Sequence, residues 1–247
     1  MKTVIHIQKR VGQTPLQVIQ EYKKEHPEYS DVKMTYAGRL DPLAEGELIL
    51  LAGEAVHDKG LYTHLRKEYT MRIVLGITTD TYDSLGLVTD EGAVSPVWQN
   101  KANAYIQKHT GTFSQAYPPF SSKTVDGVPL FELTRRGVSV ELPAHEVTVD
   151  SIEDVSFGSM DSIELQQYII NKNATVDGDF RQKEIRERWN DYFNTTDITN
   201  YPTVSCRVVV SSGFYVRTFA HDMGQSIGCG ALALDIVRTR YIDVPEN

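Results

Sequence analysis

The alternation of strand-like and helix-like segments, with no internal repeat, most constrains the fold of this chain. Residues 3–7 (TVIHI) and 69–76 (YTMRIVLG) have strand composition, and apolar side chains alternate from Val204 to Val210. Residues 46–53 (GELILLAG) form an apolar run bounded by glycines, which fits a buried strand or a short buried helix. The patterns predict an α+β fold whose mixed, mainly antiparallel sheet is flanked by helices and loops.

The clearest helix start lies near the N-terminus. Thr14 is a suitable N-cap, Pro15 suits the first helical position, and Gln17 completes a capping box. Three apolar residues recur on one face of this helix and predict its packing side: Leu16, Ile19 and Tyr22.

Residues 163–193 have the pattern of a two-helix insertion, here called the helical insertion. In its second helix, Ile185, Trp189 and Tyr192 are spaced i, i+4 and i+7, which is typical of a packing face. Four basic residues crowd the same helix: Arg181, Lys183, Arg186 and Arg188. Two interpretations stay open, namely a solvated face on a packing helix and a contact strip for a polyanion.

Net charge excludes one class of nucleic-acid-binding protein. The chain carries a charge of −8, so it cannot coat a nucleic acid through net charge alone. A local basic face is still possible, because residues 1–40 hold seven Lys or Arg against four Asp or Glu. No apolar run is long enough for a membrane span, and two cysteines cannot form a disulfide framework. We therefore expect a cytoplasmic protein without membrane contact.

The stretch TYAGRLDPLAEGEL (35–48) carries the strongest chemical signal. Asp41 stands among small residues and is followed by Pro42, which suits a carboxylate presented to a substrate at close range. Phosphate-loop, serine-hydrolase and metal-protease motifs are missing from the sequence. Asp80 and Asp83 of TDTYD are expected to cap a turn rather than bind Mg²⁺. Carboxylate chemistry by Asp41, without a metal, is the prediction that follows.

The chain resembles the TruB-type pseudouridine synthases in this stretch and in several others. The family's G-H-T-G-x-L-D-P-L-A-x-G-x-L signature stands here at residues 35–48. Further collinear blocks are similar to family motifs: Gly53-Glu54-Ala55, Lys67-Glu68-Tyr69, residues 79–86, residues 118–137 (PPFSSKTVDGVPLFELTRRG), residues 213–218 (GFYVRT), residues 228–231 and residues 237–240. The blocks cover most of residues 5–242 and omit the helical insertion.

The resemblance implies a role for each matching residue. Asp41 would be the nucleophile that attacks the ribose or the base, Tyr69 would stack on the flipped uracil, and Arg217 would pair with Asp41. The residues implied to contact RNA are Lys9, Tyr36, Arg39, Lys123 and Tyr215. Tyr36 stands where the family has histidine.

The resemblance also implies a fold and an activity. We expect the pseudouridine synthase fold, with residues 1–247 forming a single catalytic domain that lacks the family's C-terminal RNA-binding PUA domain. The expected reaction is isomerisation of uridine at position 55 in the T-arm of tRNA, by a monomer, with no cofactor.

Two alternatives stay open. One is a tRNA-binding folding factor with weak or no catalysis, which the Asp41→Asn variant would discriminate. The other is a glycoside hydrolase, which would need a second carboxylate near Asp41; spacing does not decide whether Glu45 or Glu47 could supply it.

Overall fold

The structure is a computed structural model that describes residues 2–245. Within this range the chain forms seven α-helices: α1 (Pro15–Glu25), α2 (Lys59–Thr63), α3 (Trp98–Lys108), α4 (Leu130–Arg135), α5 (Ser162–Ala174), α6 (Gln182–Thr195) and α7 (Val216–Ile227). In residues 2–245, none of these helices is long and apolar enough to cross a membrane.

Twelve strands lie within the same described range: β1 (Lys2–Lys9), β2 (Met34–Ala37), β3 (Glu45–Gly53), β4 (Arg66–Leu75), β5 (Ile77–Thr79), β6 (Val88–Glu91), β7 (Gly111–Ala116), β8 (Thr124–Val125), β9 (Val128–Pro129), β10 (Ala144–Asp161), β11 (Asn200–Val210) and β12 (Ala231–Ile242). Eight of them form one sheet in the order β1-β3-β12-β4-β11-β10-β7, with β2 paired to β3. Every pairing in this sheet is antiparallel except the short contact between β3 and β12. The predicted α+β class with a mainly antiparallel sheet is confirmed.

The two faces of the sheet are covered by different helices. Successive side chains of a strand point to opposite faces, and β12 shows the consequence. Ala231 and Ala233 pack in the cluster that contains α3 and α7, whereas Leu232 and Leu234 pack in the cluster that contains α5 and α6. The helical insertion is therefore an integral part of the second core.

The predicted packing face of the helical insertion is confirmed. Ile185, Trp189 and Tyr192 are buried, and the Trp189 indole donates to the Ser84 carbonyl at 3.0 Å. The charges on α6 are balanced, since its three basic residues are matched by three acidic ones: Lys183, Arg186 and Arg188 against Glu184, Glu187 and Asp191. This balance favours the packing helix over a contact strip for a polyanion.

Helix α1 begins as predicted, and its packing face includes the predicted Ile19 and Tyr22 but not Leu16. Thr14 and Gln17 form the reciprocal capping box. The buried residues are Val18 and Ile19, which pack against β3, whereas Leu16 is 58% exposed. The prediction that Leu16 belongs to the packing face is wrong, because Leu16 lies at the edge of a large cleft described below.

Candidate active site

A cavity of about 850 Å³, here called the cleft, opens beside the loop that joins β2 to β3. This loop carries Asp41, whose side chain is 32% exposed and lines the cleft. Strand β4 contributes Tyr69, and the turn into α7 contributes Tyr215 and Arg217. The 118–137 segment and the loop between α5 and α6 supply the remaining walls. Residues far apart in sequence therefore meet around one carboxylate.

Arg217 is the centre of the hydrogen-bond network at the cleft. Its side chain is 4% exposed, and its Nε donates to Asp41 Oδ2 at 2.8 Å. Its other two nitrogens donate to backbone carbonyls, Nη1 to Thr81 at 2.7 Å and Nη2 to Phe120 at 3.1 Å. Burial alone would lower the pKa of Arg217, but the carboxylates of Asp41 and Asp83 outweigh burial and raise it. The guanidinium is thus a fixed positive charge that orients Asp41.

A second carboxylate, Asp83, lies behind this pair. Its Oδ2 is 3.7 Å from Arg217 Nε, while its Oδ1 accepts from Thr81 Oγ1 at 2.7 Å and from the Leu85 amide at 2.9 Å. Burial raises the pKa of Asp83. These bonds make Asp83 a turn-forming residue, as the sequence predicts. Because Asp41 and Asp83 share one guanidinium, they do not flank a bond between them as the two acids of a glycosidase do.

The neighbouring Asp80 also fits the turn prediction, since its Oδ1 accepts from the Leu87 amide at 2.8 Å. Among residues 2–245, no group of three or more His, Cys, Asp or Glu side chains is placed to hold a metal ion.

Aromatic side chains line the cleft near Asp41. Tyr69 is buried on β4, and Tyr36 lies on β2 with its hydroxyl accepting from Arg39 Nη2 at 3.3 Å. Burial and, to a smaller degree, the charge of Asp41 raise the pKa of Tyr215 to about 12, so its phenol keeps its proton at neutral pH. All three rings are in the cleft wall, where a planar base could stack on them.

The two other basic side chains predicted to contact RNA, Arg39 and Lys123, lie in different places. Arg39 is exposed at the cleft and lines it. Lys123 is exposed on the 118–137 segment, with its Nζ 5.2 Å from the centroid of the Tyr117 ring. The structure thus brings Arg39, but not Lys123, into the wall of the cleft.

The structure corrects the prediction for Lys9. This residue is 1% exposed, and its Nζ donates to the carbonyls of Arg10, Pro42 and Ala44. Burial lowers the pKa of Lys9 to about 8. A side chain enclosed in this way cannot reach a phosphate, so Lys9 supports the loop that carries Asp41 instead of contacting RNA.

Sequence reasoning missed two buried basic residues in the cleft wall, of which Arg238 bonds to the same loop. Arg238 is buried, donating through Nε to the Glu47 carbonyl at 2.7 Å and through both terminal nitrogens to the Gly38 carbonyl at 3.2 Å. Lys67 is also buried, and its Nζ donates to the carbonyls of Thr63 and Leu65. Both lie in blocks that resemble family motifs, which was the available signal.

The charge of the cleft differs in sign from that of the whole chain. Six basic residues line it against three acidic ones: Lys67, Arg39, Arg135, Arg181, Arg217 and Arg238 against Asp41, Asp83 and Asp179. The chain as a whole carries −8. The cleft is therefore a local basic region, which the uneven charge of the sequence allowed.

Comparisons with known proteins show the family of the chain. A family model described as "TruB family pseudouridylate synthase (N terminal domain)" matches residues 23–168. The tRNA pseudouridine synthase B of Xanthomonas axonopodis pv. citri is 32% identical over 196 residues, which are 79% of this chain and 50% of that protein. The corresponding protein of Opitutus terrae is 32% identical over 84% of this chain and 68% of its own length.

Solved structures support the fold. The chain superposes on a protein in a crystal structure of a Cbf5-Nop10-Gar1 complex with a TM-score of 0.56 and 20% identity, covering 99% of this chain and 50% of that one. A structure of an H/ACA RNP bound to a substrate RNA containing 2′-deoxyuridine gives a TM-score of 0.54 and 18% identity, covering 99% and 49%. The chain thus spans about half the length of several proteins that it matches. The family match extends over more than half of the chain, and the chain belongs to the TruB family of pseudouridylate synthases.

Proposed function

We propose that this protein isomerises uridine to pseudouridine in tRNA, at position 55 of the T-arm, with Asp41 as the nucleophile. The observation that carries the proposal is the partly exposed Asp41 carboxylate held by the buried Arg217 in a cleft lined by Tyr69 and Tyr215. The names of the relatives, tRNA pseudouridine synthase B, support the substrate class. We also propose that the chain works as a single catalytic domain and as a monomer.

The reaction begins with extrusion of the target nucleotide. Unstacking the base costs about a few kcal/mol, which RNA binding must supply. The cleft volume of about 850 Å³ is large enough for a nucleotide and leaves Asp41 reachable from solvent. Tyr69 and Tyr215 offer flat surfaces for the uracil ring.

Asp41 then attacks the ribose or the base, which frees uracil to rotate and rejoin through carbon. Arg217 contributes by aiming the carboxylate, because its hydrogen bonds to three different segments leave its guanidinium no freedom to rotate. Tyr69 helps to remove the proton from C5 of the uracil. Tyr36, Arg39 and Lys123 contact the surrounding RNA.

The test is a tritium-release assay on tRNA transcripts labelled at C5 of uridine, with wild type and Asp41→Asn side by side. We expect release by the wild type and none above background by the variant, because the amide is a far weaker nucleophile. A transcript with cytidine at position 55 controls for the site. Tight binding by the wild type without release from any transcript would contradict catalysis and favour a tRNA-binding folding factor.

A further inference from the structure

We propose that Arg181, in the loop between the two helices of the insertion, is a positioning residue for the Asp41–Arg217 pair. The part of this inference that concerns the reaction rate rests on the proposed function. The inference assigns a role to the helical insertion, which the family motifs leave out.

The contacts of Arg181 converge on the groups that hold Arg217. Arg181 Nη1 donates to Asp80 Oδ2 at 2.9 Å, and Asp80 precedes Thr81, whose carbonyl accepts from Arg217. The guanidinium of Arg181 also lies 4.6 Å from the centroid of the Phe120 ring. The Phe120 carbonyl is the third acceptor of Arg217. Arg181 therefore contacts two chain segments that supply two of the three acceptors of Arg217.

The loop at residues 175–181 is tied to both sides of the cleft. On one side, Arg135 of the 118–137 segment donates to the Asp179 carbonyl at 3.0 Å. On the other side, Gln17 donates to Asp177 at 3.1 Å, and Gly12 packs so closely on Thr175 that an added Cβ would lie 2.2 Å from its carbonyl oxygen. The Gly12 amide in turn donates to the carbonyl of Pro42, the residue after Asp41, at 2.8 Å.

The backbone of Arg181 has an unfavourable conformation, which the contacts of its side chain help to maintain. Its φ of 63° lies in the left-handed region, which non-glycine residues rarely adopt. Strained backbone of this kind is kept where the surrounding contacts fix it, often at functional sites. The side chains of Arg181 and Asp80 are 21% and 22% exposed, and the ion pair between them neutralises the guanidinium. A neutralised, largely covered arginine is suited to holding protein segments in place rather than to binding a phosphate.

The first test replaces Arg181 by asparagine, which tolerates the left-handed conformation and removes the guanidinium. At saturating tRNA, we expect the single-turnover rate to fall about 10- to 100-fold while the dissociation constant changes less than about twofold, because misplacement of reacting groups affects the rate. Arg186→Asn, which removes an exposed arginine from the same helix, should leave both values unchanged. A loss confined to affinity, or a loss explained by a smaller folded fraction, would overturn the proposal.

The second test removes the other member of the ion pair. Asp80→Asn keeps the oxygen that accepts from the Leu87 amide and discards the charge that binds Arg181. If the pair acts as a unit, the double variant should be no slower than the slower single variant. Rate losses that multiply in the double variant would contradict the positioning role.

A third measurement does not depend on activity. Amide hydrogen exchange in the free protein should become at least about tenfold faster within residues 118–137 in Arg181→Asn, because the contact of Arg181 with the Phe120 ring is lost. Unchanged exchange there would overturn the inference even in an active enzyme. If the wild type released no tritium at all, the proposed function would fail, while faster exchange would still support the positioning of Phe120 by Arg181.

Discussion

At the scale of single residues, the side chain of Arg217 has a shape that no other side chain can replace. Its three nitrogens bond to Asp41, Thr81 and Phe120 in three different directions. An ammonium group carries the same charge but is a single point, so it cannot span these acceptors.

We therefore expect Arg217→Lys to reduce the single-turnover rate at saturating tRNA by about 10²-fold or more, although charge is conserved. The rate would be measured by tritium release, with circular dichroism confirming the fold. Arg240→Lys is the matched control, because Arg240 is exposed and pairs with Glu68 at the edge of the sheet. If Arg217→Lys turned over as fast as the wild type, the three-way hydrogen bonding of the guanidinium would not matter for the rate, and the prediction would be wrong.

Ser121 offers a second prediction, since the residue lines the cleft and its hydroxyl, buried in the free protein, has no hydrogen-bond partner within residues 2–245. We expect a substrate bound in the cleft to supply the missing partner. We expect Ser121→Ala to lower kcat/KM about tenfold, the value of one hydrogen bond, without lowering the thermal stability of the free protein. Ser114→Ala, on an exposed serine of β7 away from the cleft, is the control. Equal effects of the two variants would count against the substrate contact.

The residues of the site could be identified from the sequence more reliably than the buried residues that hold the site in place. Asp41 and Arg217 stand in motifs, and they meet in the structure. The resemblance assigns Lys9 to the residues that contact RNA; its burial follows from three carbonyls that converge only in the folded loop. Convergence of this kind has no signature in the local sequence.

At the scale of elements, the short parallel contact between β3 and β12 depends on a glycine. Gly46 has φ of 110°, and an added Cβ would lie 2.1 Å from the Arg238 carbonyl oxygen. We expect Gly46→Ala to lower the free energy of unfolding by about 3 kcal/mol or more, from backbone strain and overpacking together. Urea denaturation would measure the loss.

Gly60→Ala is the matched control for Gly46→Ala. Gly60 lies in α2, and an added Cβ would meet no heavy atom within 4 Å. Alanine is the better helix former, so this variant should gain up to about 1 kcal/mol. A loss at Gly60 as large as the loss at Gly46 would contradict the role of the close approach.

Helix α7 carries a carboxylate whose burial opposes stability at neutral pH. Burial raises the pKa of Asp222 from 3.8 to about 6. The folded protein therefore binds a proton more tightly than the unfolded chain, and this advantage is lost as the pH rises through about 6.

We expect Asp222→Asn to raise the free energy of unfolding at pH 7 by about 1 to 2 kcal/mol, and to change it little at pH 4, where the native carboxyl is already protonated. Urea titrations at both pH values would check this. Asp31→Asn, on an exposed carboxylate, is the matched control. A stabilisation that is equal at pH 4 and pH 7 would rule out the titration of Asp222 as its cause.

Element types were predictable where local signals agreed. The capping box at Thr14 and Gln17 fixed the start of α1, and the apolar spacing of Ile185, Trp189 and Tyr192 identified a packing helix. The exposed Leu16 could not be predicted, because which side of a helix meets the core depends on neighbours distant in sequence. For the same reason, the contact of the insertion loop with the cleft was not visible in the sequence.

At the scale of the whole molecule, charge predicts how binding responds to salt. The net charge is −8, but Arg39 and Arg135 lie at a basic cleft and Lys123 is exposed on the segment beside it. If each contacts one phosphate, tRNA affinity should fall about 20- to 40-fold between about 50 and about 200 mM salt. Arg39→Gln should reduce the slope of log affinity against log salt by about one, and Arg186→Gln should not. Affinity that is independent of salt would contradict a local basic interface.

The order of strands also sets the point in its synthesis at which the sheet of this protein can be completed. Strand β12 is the last of the described strands to be made, yet it is the one that joins β1, β2 and β3 to β4, β11, β10 and β7. Until residues 231–242 have left the ribosome, the half that carries Asp41 and the half that carries Tyr69 and Arg217 share no sheet hydrogen bonds. The nascent chain meanwhile presents the unpaired edge of β4, a template for pairing with other chains. The two parts of the sheet that carry the cleft therefore become hydrogen-bonded to each other only once β12 has been added, which leaves the β4 edge as the part of this fold most exposed to mispairing until then.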